Sequence, residues 1–295
     1  MNHRLTEFEI EIENYKMKSD QKIQGWLKQA FSKKYTKVLD AGCGLGGGFC
    51  NILCLLPTPY RTTTISYNGI DLIPLSNTKR FLEEHLPSFF DDKNCIDIDL
   101  NMKEVSMLTP PNNLIGSCDL VMAIGTLHHT PGVKESLIAT LKCVRSGGYY
   151  LGWIINEQKP LRAITDQFFR DYFSQFTNLS ECEEELHALV EIFQALSESV
   201  GDKTIIIKNN LEFMGLSPGE YGLQSLLYDY IVKCYHRSGV DPRWNIYSLF
   251  DWFNPEFYHQ TSREQLDKLI QSIDCVEPID IVTKASGHFF FLKVT

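Results

Sequence analysis

A short apolar run, Lys37-Val38-Leu39, ends in Asp40, and five of the next eight residues are glycine: Gly42, Gly44, Gly46, Gly47 and Gly48. Glycine loses more conformational freedom on ordering than any other residue, so such a cluster persists where the backbone must turn sharply or be approached closely. A buried parallel strand that enters a helix through a tight turn has this pattern. The turn presents backbone N–H groups at the start of the helix, where a flat or polar ligand can lie against them. Gly42, Gly44 and Gly47 also satisfy G-x-G-x-x-G, which keeps a dinucleotide site open, and a purely structural turn is a third alternative. Asp40 bears on the choice. An anion two residues before the first glycine repels a pyrophosphate and favours a cationic or zwitterionic ligand.

The rest of the chain repeats the theme of strand, loop and helix. Further apolar runs at 65–71, 95–100, 119–124 and 149–155 are strand candidates, the second strand ending in Asp71 and the third containing Asp97 and Asp99. A helix over 262–273, opened by Thr261 or Ser262, precedes two strands at 279–283 and 288–294 whose Lys284-Ala-Ser-Gly287 link predicts a closing hairpin. Residues 1–35 carry Phe8, Ile23, Trp26, Leu27 and Phe31, some at helical spacing, and form an N-terminal helical segment. Between the fifth strand and the last helix lie about 100 aromatic-rich residues of mostly helical pattern, too long for an ordinary connection. The expected division is therefore 1–35, an α/β core of 36–156 with 260–295, and a helical insertion of 157–259.

Charge and composition limit the partners. With 28 basic and 37 acidic residues the 295-residue chain has a net charge of −9, which argues against coating a nucleic acid. Its 43% hydrophobic content supports a real core, and no apolar run approaches the roughly 18 residues of a membrane span. The N-terminus lacks the uninterrupted apolar core of a signal peptide, so a cytoplasmic location is expected. Nine cysteines without a C-x-x-C read as reduced, mostly buried thiols, and no spacing suggests a metal site.

Taken in order, VLDAGCGLGGGF, the GID that ends the second strand, DLVMAIGTLHHT and SGGYYLGWI resemble the successive motifs of class I S-adenosylmethionine-dependent methyltransferases. The likeness covers 36–156 and, more loosely, 261–295. It implies a Rossmann-like seven-stranded α/β sheet with an antiparallel last strand and the cofactor across the ends of strands one to four. Gly42, Cys43, Gly44 and Gly46 would lie under its methionine and ribose, with Asp40 close to the amino group. Asp71 would accept from both ribose hydroxyls, with Leu72 beside it, and Asp97 or Asp99 would face the adenine, Asp99 being favoured narrowly. Ile124 and Gly125 would supply backbone near the sulfonium. The departure is the Asp40 to Asp71 spacing, which is longer than usual and reads as a loop insertion around 57–64.

The same likeness puts His128 and His129 in the loop facing the transferred methyl. One of them is a candidate base, and bracing of the loop by backbone hydrogen bonds is the alternative, more so for His128. The insertion is expected to act as a lid that selects substrate. In it Lys159, Arg162, Asp166, Arg170 and Asp171 can share one helix face, either as solvated ion pairs or, if buried, with the arginines gripping a carboxylate or phosphate. Asp251, Tyr258 and His259, just before the chain returns to the sheet, are further substrate-binding candidates alongside Arg162. The expected activity is methylation of oxygen or nitrogen on a small polar acceptor such as a sugar or sugar nucleotide, yielding S-adenosylhomocysteine, in a protein that could be a homodimer. Methylation of tRNA or protein, an inactive cofactor-binding partner and a dehydrogenase are the competing readings.

Overall fold

The structure, a computed structural model, describes residues 21–44, 46–56, 64–86, 98–234, 242–284 and 286–295. They divide into two compact units, one of residues 21–156 with 259–295 and the other of residues 157–258.

The first unit is built on a seven-stranded sheet. In chain order its elements are α1 (Gln21–Ala30), β1 (Tyr35–Ala41), α2 (Gly47–Leu55), β2 (Thr64–Asp71), α3 (Ser76–His85), β3 (Ile98–Glu104), β4 (Cys118–Ile124), α4 (Val133–Leu141) and β5 (Val144–Ile155). Past the second unit come α9 (Arg263–Gln271), β8 (Val276–Thr283) and β9 (Gly287–Val294). The strand order is β3-β2-β1-β4-β5-β9-β8. Strands β1 to β5 pair in parallel and β9 runs antiparallel between β5 and β8. This is the α/β sheet, antiparallel last strand included, that the motif order implies. Two-sided burial explains why β1 and β4 read as near-continuous apolar runs, since residues 38–41 and 118–123 are almost all inaccessible. On α1, Ile23, Trp26, Leu27 and Ala30 follow helical spacing and are buried, and Trp26 stacks on Phe291 of β9 at 5.5 Å. Helix α9 opens on a capping box, with Ser262 accepting from the Gln265 N–H and the Gln265 side chain accepting from the Ser262 N–H.

Because the chain passes from β3 back across to β4, the carboxyl ends of β1 and β4 border the point where the strand order reverses. Ligands of open α/β sheets bind there. The third strand runs on to Glu104, past its expected end at 100, and its register pairs Ser66 with Asp99 but Asp71 with Glu104; the fifth begins at Val144, taking in the Ser146-Gly147-Gly148 stretch expected to be a turn. Residues 1–20 and 57–63, and with them most of the N-terminal segment and of the loop insertion, lie outside the described residues.

The second unit contains α5 (Pro160–Phe173), α6 (Glu183–Val200), α7 (Leu223–Tyr230) and α8 (Pro242–Phe253). It also contains an antiparallel pair, β6 (Thr204–Ile207) with β7 (Gly219–Gly222), that the helical reading of this stretch did not foresee. The β-branched run Thr204-Ile-Ile-Ile207 carries the strand preference. Buried Phe173 and Phe253 stack at 5.9 Å and join α5 to α8. None of the helices among the described residues is long and apolar enough to cross a membrane.

Candidate functional site

The glycine turn after β1 is held from three sides. Ile70 O accepts the N–H groups of Gly42 and Cys43, at 2.8 and 3.2 Å. The Asp71 carboxylate accepts the Gly44 N–H at 2.8 Å, and the Thr78 hydroxyl of α3 donates to Gly44 O at 2.7 Å. Two glycines meet different constraints. Gly42 has φ +77°, and a Cβ there would sit 2.4 Å from Thr126 Cγ2, so only glycine lets the β1 turn pack against the loop after β4. Gly44 has φ +49° and nothing within 4 Å of where its Cβ would be, which leaves one face of the backbone open. Thr126 completes the contact by donating from its hydroxyl to Ala41 O at 2.9 Å.

Asp40, second from the end of β1, is 2% exposed and accepts from the Tyr67 hydroxyl at 3.0 Å. Burial pushes its carboxyl up to about 7. The Tyr67 hydrogen bond opposes that shift and the charge of Asp71 adds to it. The Tyr67 phenol itself is driven well above its usual range by burial and by the Asp40 charge. Cys43 is 5% exposed and burial raises its thiol, so it is an inert part of the turn rather than a nucleophile.

Asp71 closes β2. Besides Gly44, it accepts from the N–H groups of Leu72 at 2.7 Å and Ile73 at 3.3 Å. A carboxylate offers about four acceptor positions, so this arrangement leaves one. Leu72 and Ile73 are 76% and 41% exposed, an apolar pair on the surface beside the carboxylate. The expected third acid must be corrected. Asp99 is exposed, is bonded by the Asn101 amide at 2.9 Å, and lies five residues up β3 from the partner of Asp71, at the far end of the sheet. Asp97 lies outside the described residues. The acid level with Asp71 is Glu104, which accepts the Leu75 N–H at 3.1 Å. Polarity hides it, because the strand continues past 100 through Asn101, Lys103 and Glu104.

At the end of β4, Ile124 pairs with Trp153 of β5, and Gly125 at φ +78° donates its N–H to Trp153 O. Leu127–His129 then forms a single 3-10 turn. His128 is buried, its ring 4.2 Å from that of His129 and edge-on to Trp153 at 5.6 Å, whereas His129 is half-buried. The segment that re-enters this unit pins the loop: the His259 N–H donates to His128 O at 3.0 Å and His259 Nε2 meets Thr130 O at 2.9 Å. Since a carbonyl only accepts, Nε2 carries the proton. His259, expected to bind substrate, thus has its ring nitrogen committed to the loop. His288 ties down both crossing points of the chain, its Nε2 lying 3.0 Å from Asn156 Oδ1 and from Thr261 O.

Of the remaining substrate-binding candidates, all in the second unit, Asp251 is exposed, Arg162 is 2% exposed and bonded to Asp166 at 2.7 Å, and Tyr258 lies under the guanidinium of Arg170 at 3.5 Å. Among the described residues no cluster of His, Cys, Asp and Glu could hold a metal ion, and seven cysteines are free thiols, six of them buried.

No family model matches the chain, and no curated protein matches it. Among solved structures it is similar to an O-methyltransferase family protein from Burkholderia thailandensis, with 11% identity and a TM-score of 0.46 over 94% of this chain and 56% of that one. It is also similar to the 1,6-didemethyltoxoflavin-N1-methyltransferase of the same organism, solved with 1,6-didemethyltoxoflavin and S-adenosylhomocysteine, at 10% identity and a TM-score of 0.44 over 93% and 77%. A third is the CMeT domain of the citrinin polyketide synthase, at 12% identity and a TM-score of 0.44 over 88% and 46%. The chain therefore spans about half the length of the first and third of these.

Proposed function

We propose that the chain is an S-adenosylmethionine-dependent methyltransferase acting on a small polar acceptor. The observation that carries the reading is the joining of an open glycine turn to the Asp71 carboxylate through the Gly44 N–H, at the reversal point of the sheet. The residues fit such a cofactor. Gly44 leaves backbone accessible where a Cβ would fill the cradle, Asp71 keeps an acceptor position for a ribose hydroxyl, and release of the Gly44 N–H would free a second. Leu72 and Ile73 provide an apolar surface suited to a flat base, and Asp40 can balance a cationic amino group. When bound, S-adenosylmethionine supplies a methyl on a sulfonium, already a reactive donor.

The protein's share is therefore mostly alignment in a dry site. Gly125 and Thr126 fix the loop after β4 against the β1 turn, and Trp153 walls it with an apolar ring. His129, the more accessible of the paired histidines, is the better placed to take a proton from an acceptor hydroxyl or ammonium, while His128 holds the loop. Calorimetric titration of wild type and Asp71→Ala with S-adenosylmethionine, S-adenosylhomocysteine and NAD tests the reading. Binding of the first two, lost in the variant, is the expected result. Binding of NAD alone, or of none, rejects it.

A further inference from the structure

The two strands of the second unit protect their edges differently. A sheet edge offers N–H and C=O groups to any strand that approaches, and proteins blunt it with charges, prolines or bulges. On β7 the charge is Glu220, between glycines at both ends. On β6, Thr204-Ile205-Ile206-Ile207 carries neither a charge nor a proline, and among the described residues it pairs with β7 alone. Successive strand residues point to opposite faces, and Ile205 and Ile206 are 39% and 68% exposed. Apolar surface is therefore left on both faces of a strand with a free edge.

The ladder tells which backbone groups face that edge. The Leu223 N–H donates to Lys203 O at 2.7 Å, and the pairs from Thr204–Gly222 to Ile207–Gly219 keep the same register. Bonded and non-bonded pairs alternate along an antiparallel ladder. Lys203, Ile205 and Ile207 thus turn their backbone groups to β7, and Thr204 and Ile206 turn theirs outward.

We infer that the free edge of β6 pairs antiparallel with β6 of a second copy of this chain, about a two-fold axis at Ile205, to make a four-stranded sheet. Outward groups must meet outward groups. Centred on Ile205 they do, because Thr204 of each copy exchanges both N–H···O bonds with Ile206 of the other. Centred between Ile205 and Ile206, the pairing would use groups already spent on β7 and would set Lys203 against Lys208. Charge then selects among the registers that remain. The Ile205 centre brings Asp202, in the turn before β6, level with Lys208 of the second copy, and both residues are exposed. A centre at Thr204 or at Ile206 would set Asp202 level with Ile206 or Asn210 instead. Lys203, which falls opposite Ile207, has its ammonium turned back to Ser199 O at 2.8 Å. So short a pairing buries far less than the roughly 800 Å² per partner of a stable complex, so the dimer is weak and depends on concentration.

Sedimentation of the purified full chain over a hundredfold range of concentration tests the inference. Wild type should pass from monomer to dimer as concentration rises. Ile206→Pro deletes an outward N–H that the β7 ladder does not use and should weaken the dimer at least tenfold. Asp202→Lys should also weaken it, and adding Lys208→Asp in the same chain should restore it with the charges exchanged. A wild type that is monomeric at every concentration overturns the inference. So does a dimer that Ile206→Pro or Asp202→Lys leaves undiminished, or a double variant that stays weak. If Ile206→Pro does not fold, the exposed charge pair still decides. None of these outcomes bears on the methyltransferase reading.

Discussion

With Asp40 beside the ligand amino group, as proposed, the donor site is sensitive to pH in a way that can be worked out. Its carboxyl is raised to about 7, burial being the largest cause, so near neutrality it is shared between the neutral and charged forms. A ligand ammonium placed beside it favours the charged form and expels the proton. At a folded value of about 7 the carboxyl is about 0.9 protonated at pH 6 and about 0.1 at pH 8, so binding should release about 0.9 proton at pH 6 and about 0.1 at pH 8. The same linkage tightens apparent affinity about tenfold between those pH values, provided that the bound carboxyl titrates well below 6. Calorimetry of S-adenosylhomocysteine binding in buffers of different ionisation enthalpy reads the proton count directly. Asp40→Asn should abolish both the release and the slope. Tyr67→Phe removes the hydrogen bond that opposes the shift and should carry the release to higher pH. Proton release that is flat from pH 6 to 8, or that survives in Asp40→Asn, would refute the assignment of Asp40 to the amino group.

Further expectations concern the turn, the loop and the sheet. Gly42→Ala combines a left-handed φ, worth about 1–2 kcal/mol, with a Cβ only 2.4 Å from Thr126 Cγ2, and should lower both the melting temperature and S-adenosylhomocysteine affinity. Gly44→Ala carries only the φ cost of about 1–2 kcal/mol, yet it places a methyl on the open face, so affinity should fall by more than the stability loss accounts for. His129→Ala should slow single-turnover methyl transfer with cofactor affinity nearly intact, and unchanged turnover would reject its role as base. His259→Ala should lower kcat through a loosened loop, and His259→Gln, which restores a donor near Thr130 O, should recover most of it. At the other end of β4, burial pushes the Asp119 carboxyl up, but the Lys37 N–H, Lys33 and Arg145 outweigh it and hold it below its usual range. Its stabilising contribution is present above the unfolded value near 3.8 and is lost as pH falls through the lower folded value, so Asp119→Ala should flatten acid unfolding in that window and cost about 2–3 kcal/mol at neutral pH.

Much of the first unit was readable because its signals are local. The run at 37–40 with its glycines, the apolar stretch at 119–124 and the Lys284 to Gly287 hairpin each depend on neighbours in sequence, and they appear as β1, β4 and the β8–β9 pair. Register is not local. β3 is an edge strand with alternate exposure, so Asn101, Lys103 and Glu104 look like loop when judged by polarity, and a strand ended at 100 brings Asp99 forward in place of Glu104. His259 illustrates a related gap. Nothing in its surroundings in sequence indicates that it clamps two carbonyls of a loop 129 residues away.

The two units also differ in what writes them. The donor side uses backbone: amides, positive φ values and a strand-end carboxylate, which leave a glycine pattern that composition and spacing can betray. The second unit is held by side chains such as Asp166, Arg170 and Trp252, which lie on different elements up to 86 residues apart. In sequence each looks like an ordinary surface ion or core aromatic. Only the burial of Arg162 and Asp166 separates a buried ionic cluster from solvated ion pairs on a helix face, and burial is a property of the folded chain. That is why the sequence leaves Arg162 and Arg170 open between solvated ion pairs and buried grips, while the structure commits Arg162 to Asp166.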